Sequence, residues 1–402
     1  MQGLFVVRQP VYTRTQHVFG YKIQFQSYPE LEIEPDTEAD AARRILDAII
    51  EIGFDSLVGH RNALIAMPRP LLCGGCELPF PKDRTIIELV DYQQADECLF
   101  EAVTRLVSEG HSIALADFEL TEQASPLLEF VQIVKLRVEE MDERQLSRQV
   151  RALKRFDNLK LLAAGVQSQE KYEFCRGLGM NYFEGNFFAR PKIVKRKRLP
   201  TNKMVVMQLL AALQRPNILV PQLEALISKD VALSYKLLRY INSAFFGLPR
   251  PVESIQRAII FLGTKAIQKW ASLLALARFD EKPTELMVTA VVRGRMCELL
   301  AAALGYEDGD VFFTAGLLSV LDALLDLPMS DVLKHLTLSD ELNRALLKRE
   351  GRVGRVLHSV LSYESQQWDD VPLDGLSCHE IKDAYIESLA WAGGASRMLR
   401  VE

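Results

Sequence analysis

The sequence predicts a multidomain chain, an N-terminal α/β barrel followed by a C-terminal all-α domain, and three observations carry that expectation. Its 402 residues exceed what one ordinary core organises and suggest two cores. From Leu4 to about Tyr182, short apolar runs alternate with amphipathic segments, the pattern of parallel strands connected by helices. Beyond Thr201 the apolar residues recur at helical spacing instead.

Taken in order, the strand candidates are Phe5–Arg8, Val18–Phe25, Ala63–Met67, Thr85–Val90, Ser112–Asp117, Ile133–Val138, Lys160–Ala164 and Asn181–Glu184. Eight such runs fit a closed barrel, whose chemistry would gather at the C-terminal ends of the strands. The intervening helices carry start signals: Asp36 before Ala39–Ile50, Asp142 before Glu143–Leu153 and Ser168 before Gln169–Leu178. The pattern stops between Arg190 and Pro200, where two prolines flank Lys195-Arg196-Lys197-Arg198. Residues 191–200 are therefore expected to be a basic linker between a barrel at 1–190 and a helical domain at 201–402, its cations solvated or paired between domains. In the second half, Leu223, Leu226 and Ile227, then Ile255, Ala258, Ile259 and Leu262, then Ile267, Trp270, Ala271 and Leu274 mark helices. About ten helices are expected, with Gly393-Gly394 loosening the tail after a helix around Ala384–Leu389.

Composition is that of an ordinary soluble chain, and a net charge of −5 gives no general attraction to nucleic acid or anionic lipid. Nucleic acid is not an expected partner; polyanion binding would have to be local. The N-terminus lacks a basic-then-apolar signal pattern and no apolar run approaches 18 residues, so a cytoplasmic location and no membrane contact are expected. Six scattered cysteines do not form a disulfide framework. Cys73 and Cys76 bracket a Cys-Gly-Gly-Cys turn with the spacing of a redox pair or half a zinc site, but with no second pair they read as ordinary loop thiols.

Arg8-Gln9-Pro10-Val11 followed by Val18-Phe19-Gly20-Tyr21 resembles the opening of the EAL domain, a bacterial phosphodiesterase barrel that cleaves cyclic di-GMP. Later segments keep the same order. Glu88-Leu89-Val90-Asp91 is similar to that family's E-L-T-E strand end, Ala114-Leu115-Ala116-Asp117-Phe118 to D-D-F-G, and Val134-Lys135-Leu136-Arg137 to K-I-D. Ala164-Gly165-Val166-Gln167 is similar to E-G-V-E, and Glu184-Gly185-Asn186-Phe187 to the Q-G-Y-Y close. The resemblance implies a TIM-like barrel with two divalent cations held by carboxylates and an asparagine.

The same resemblance implies a degenerate site. Lys22 stands at the E-A-L glutamate, Ala66 at the asparagine ligand and Ala116 at the first D-D-F-G aspartate. Ala164 and Gln167 stand at the E-G-V-E acids, Arg137 at the K-I-D aspartate and Glu184 at the Q-G glutamine, while Glu88, Asp117 and Lys135 are retained. Charged Lys and Arg have no lone pair to offer a cation. The expectations are no metal, no cofactor and no catalytic residue, with Lys22 filling the metal space and pairing with Glu88 or Asp117, because a desolvated charge needs a partner.

The segment from Leu226-Ile227-Ser228-Lys229-Asp230-Val231 to Leu237-Leu238-Arg239-Tyr240-Ile241-Asn242-Ser243 resembles the HDOD signature, continued by Val252–Gly263. Related HD hydrolases bind metal through separated histidines and a His-Asp pair; here Ser319 and Val320 stand at the pair, a degenerate HD position. His335, His358 and His379 are scattered and read as structural, Asn242 as a helix-end hydrogen bonder, and Trp270, Phe245 and Phe246 as core.

An EAL-like barrel followed by HDOD resembles the YuxH family of bacterial regulators. That implies signal transduction in motility, surface behaviour or virulence, by an inactive, non-enzymatic scaffold that contacts other signalling proteins through its HDOD domain. The alternative is a cyclic di-GMP receptor that binds without cutting and reorients the HDOD domain. A homodimer is compatible with the sequence.

Overall fold

The computed structural model describes residues 4–27, 38–75, 78–90, 92, 96–118, 125–187, 201–215, 218–243, 251–279, 282–336 and 338–399. Cα proximity divides the chain into two compact units, residues 1–188 and 189–402. The basic run at 195–198, the start signal at Asp36, Cys76, Phe245 and Phe246 lie outside the described residues.

In the first unit, eight strands close into one barrel in sequence order: β1 Leu4–Thr13, β2 Val18–Ser27, β3 Asn62–Met67, β4 Thr85–Leu89, β5 Ser112–Leu115, β6 Ile133–Arg137, β7 Lys160–Ala164 and β8 Tyr182–Glu184. The parallel arrangement expected throughout holds from β2 to β8, but β1 is antiparallel to both neighbours. The cause is local: a tight turn, with Thr13 N–H donating to His17 O at 2.8 Å, joins β1 to β2, and so short a connection can only reverse the chain.

Among the described residues, six helices accompany these strands: α1 Glu38–Ile52, α2 Phe54–Val58, α3 Arg69–Cys73, α4 Glu97–Ser108, α5 Glu143–Leu153 and α6 Gln169–Gly177. Their caps are read directly from the sequence. Asp142 accepts from the amides of Arg144 and Gln145 while the Gln145 side chain returns to the Asp142 amide, and Ser168 accepts from Lys171 N. One layer of the barrel interior is hydrocarbon: Val11, Leu64, Ile86, Ala114, Ile133 and Leu162, with Phe19 stacked on Tyr182.

The second unit is helical among its described residues. It contains α7 Thr201–Leu213, α8 Val220–Ser228, α9 Val231–Ile241, α10 Ile255–Leu262, α11 Thr264–Leu276, α12 Thr284–Ala303, α13 Gly309–Leu318, α14 Leu321–Leu325, α15 Met329–Leu333, α16 Asp340–Lys348, α17 Gly351–Glu364 and α18 Cys378–Leu399. Two of these, α14 and α15, are five-residue turns of helix that periodicity could not register. The tail also differs from expectation, since α18 runs straight through Gly393-Gly394. Ala392 and Ala395 are buried on either side, and that packing offsets the weak helix propensity of glycine. Trp270 is core, packed between Tyr240 and Trp391 at ring separations of 3.9 and 5.2 Å. No helix among the described residues is long and apolar enough to cross a membrane.

Candidate functional site

Side chains alternate faces along a strand, so residues two apart share one face. Leu64, Ile86, Ala114, Ile133, Leu162 and Tyr182 line the interior. Two positions toward the C-terminal rim stand Ala66, Glu88, Ala116, Lys135, Ala164 and Glu184. The backbone register brings Ala66 opposite Glu88 and Ala164 opposite Arg137. Six residues singled out in the sequence thus form one layer above the hydrocarbon.

Three of them are charged and almost fully buried, at 1% exposure for Glu88, 3% for Lys135 and 5% for Glu184. The Lys135 ammonium lies between the two acids, with Nζ 2.6 Å from Glu184 Oε2 and 3.4 Å from Glu88 Oε1. Burial disfavours its charge, but the two carboxylates outweigh burial and raise its pKa above that of an ordinary lysine, so Lys135 stays protonated. Lys22 approaches the same cluster from β2. Its ion pair is with Glu184, at 3.8 Å, and not with Glu88 or Asp117 as expected. Lys22 thus shares Glu184 with Lys135, while Asp117 is paired with Arg137. Burial, aided by the neighbouring Lys135 and opposed by Glu184, lowers the Lys22 pKa.

Asp117 lies just past β5 in left-handed backbone at φ 49°, a conformation an aspartate tolerates better than most residues. It pairs with Arg137, which also binds Glu140 at 2.8 Å. Arg137 and Asp117 are 43% and 45% exposed, so this pair is a solvated feature of the rim. Gly185 fixes the exit of β8: its φ is 146° and a Cβ there would fall 2.1 Å from Val166 O. That close approach lets Val166 N–H donate to Glu184 O at 2.9 Å. Gln167 follows β7 on the same rim.

The described part of this rim does not fit two divalent cations. Both interior acids are committed to Lys135, and among the described residues no group of three His, Cys, Asp or Glu side chains could hold a metal.

In the helical unit, Ser319 and Val320 close the end of α13 and are buried. Ser319 Oγ donates to Gly316 O at 2.7 Å and accepts from Arg293 Nη1 at 3.1 Å, while Arg293 Nε binds Glu364 at 2.6 Å. Burial raises the pKa of nearby Asp322. Asn242 caps α9 and grips Val252, donating to its carbonyl at 2.8 Å and accepting from its amide at 2.6 Å. Asp230 caps the other end of α9 through Leu233 N and pairs with Arg278.

Sequence reading missed one contact between thiols. Cys73 ends α3 and lies near Cys98 on α4, and the neighbouring thiol pushes the Cys98 pKa up to about 11. Residues 25 positions apart carry no spacing signal; only the packing of α3 on α4 unites them.

Residues 199–364 match the HDOD domain family. The chain is 28% identical over 409 residues to "Cyclic di-GMP phosphodiesterase CdgJ" of Vibrio cholerae, covering 99% of this chain and 94% of that one. It is 25% identical over 403 residues to "Uncharacterized protein YuxH" of Bacillus subtilis, covering 96% of this chain and 98% of YuxH. Among solved structures, a c-di-GMP-bound standalone EAL protein of Vibrio cholerae aligns with 47% of this chain and 93% of its own, at 21% identity and a TM-score of 0.38.

The likeness to CdgJ overturns the expectation that the chain is not an enzyme, because a protein named for phosphodiesterase activity aligns with 99% of this chain at 28% identity. The expectation counted ligands motif by motif, whereas a catalytic rim is built from entire loops. Residues 93–95, 119–124 and 188–200, which follow β4, β5 and β8, lie outside the described residues. The chain thus joins a closed eight-stranded barrel to a helical unit that carries an HDOD domain at residues 199–364, and is similar over nearly its full length to CdgJ and YuxH.

Proposed function

We propose that the chain acts in cyclic di-GMP signalling, with the barrel rim facing the nucleotide and the HDOD domain docking a protein partner. The alignment with a named cyclic di-GMP phosphodiesterase over 99% of the chain carries this reading. The rim supplies suitable chemistry: Lys22 and the half-exposed Arg137 offer cations to phosphate oxygens.

The protein-docking half is favoured by one further observation. Leu219, Val231, Tyr235, Ile260 and Phe261 are large apolar residues exposed by more than half, and they fall on or beside the consecutive helices α8, α9 and α10. Single exposed apolar residues are ordinary, but such concentration on neighbouring helices is characteristic of interaction surfaces.

Calorimetric titration of the full chain with cyclic di-GMP, with and without magnesium, followed by chromatography of the nucleotide, tests the first half. Micromolar binding or a linear dinucleotide product is expected; neither heat nor product would overturn it. Cross-linking in cells tests the second, with partner cross-links expected on α8–α10 and their confinement to the barrel counting against it.

A further inference from the structure

Helix α5 and the turn after it carry Arg144, Arg148, Arg151 and Arg155, spaced four, three and four residues apart. That spacing places them along one helix face. With Phe174 of α6 they line a shallow cleft of about 690 Å³ that holds a single acid, Glu143. All four arginines are exposed. Among the described residues none of them makes an ion pair or a side-chain hydrogen bond, whereas Arg69, Arg84, Arg137, Arg278 and Arg352 are all paired.

Like charges at these intervals weaken a helix, by about 0.2–0.5 kcal/mol per pair. Folding therefore gives no reason for the stripe, and an external anion would relieve it. The net charge of −5 makes this attraction local to one face of the barrel unit.

We propose that this cleft binds the phosphate backbone of a single-stranded nucleic acid, a function beyond the cyclic di-GMP reading and independent of it. Three features select that partner. The cations are all arginine, whose planar fork pairs bidentately with phosphate and stacks on bases. They run along a cleft about 16 Å long at 1.5 Å per residue, which suits a strand better than a flat lipid surface. Half-buried Phe174 supplies the aromatic face that sequence-tolerant single-strand binders use for stacking.

Fluorescence anisotropy of the full chain with labelled oligouridylate and oligothymidylate dodecamers tests this. Four contacts predict a slope of about −3 in log affinity against log salt, or roughly a 50-fold loss between 50 and 200 mM. R148E/R151E is expected to weaken binding at least about ten-fold and to flatten the slope by about 1.4. K229E/R239E, an equal charge change on exposed residues of the helical unit, should leave affinity within about two-fold if the four contacts account for the salt slope. Binding of both strands, or of RNA alone, supports the proposal. It is overturned if neither oligonucleotide binds, if R148E/R151E has no more effect than the control, or if phosphatidylserine vesicles bind through these arginines while oligonucleotides do not.

Discussion

The barrel rim and the end of α13 bury polar groups in opposite ways. At the rim, two lysines and two glutamates from β2, β4, β6 and β8 converge in one interior layer, and Lys135 is held by two carboxylates at once. At the end of α13, one neutral hydroxyl is satisfied by a backbone carbonyl and an arginine, and that arginine also pairs with Glu364, which is 37% exposed. The difference follows from geometry. Strands of period two aim every second side chain at the same narrow interior, so a charge on one strand can be answered only by a charge from another. A helix end presents its side chains to several neighbours, and a small neutral residue can close it. The rim is therefore the more sensitive of the two to losing one member.

The largest expected effect tests that contrast. Lys135→Met leaves Glu88 without its ion-pair partner and Glu184 with only the more distant Lys22, and urea unfolding should show a loss of about 3–5 kcal/mol. Replacing both acids by glutamine in the same variant should restore most of it; a loss under about 1 kcal/mol for the single change would show that the rim charges are not desolvated. Arg293→Ala strips one donor from Ser319 and leaves Glu364 unpaired, and about 1–3 kcal/mol is expected.

Asp230→Ala removes the α9 cap, at about 1 kcal/mol. The hydrogen bond from Arg278, assisted by the Leu233 amide and opposed by burial, holds the Asp230 carboxyl below the usual carboxylate range. Its contribution is therefore full above about pH 4, its unfolded value, and fades as pH falls through the depressed value. Wild type and variant should converge in acid; a gap that persists there would assign the cost to packing. The smallest effect is at the exposed edge of the rim, where Arg137→Gln should cost no more than about 1 kcal/mol, since both partners are over 40% exposed. A larger loss would erase the distinction between the interior and the lip of the barrel.

Much of this was legible in the chain. The strand runs were found because they are short apolar runs set between amphipathic segments, and β4 to β7 are buried almost throughout; Asp142 and Ser168 announced their helices through the capping preference itself. The reversal of β1 was not read, because apolar alternation is the same in either direction and only the turn at Thr13–His17 decides it. The rim residues Glu88, Lys135 and Glu184 were legible through the resemblance of their segments to the EAL motifs. Their pairing was not. Lys22 and Glu184 are far apart in sequence, and only closure of the barrel brings β2 and β8 near enough for the two to meet.

β8 has a consequence of its own. At three residues it is the shortest of the eight strands, matched at three positions with β1 and two with β7, yet the chain leaves the barrel through it on the way to the helical unit. Tension along that connection would be felt first at the most lightly laced stave. Peeling it would draw Glu184 away from Lys135 before any other charge was disturbed, so the stave that joins the two halves of the chain also holds the latch of the ionic lock.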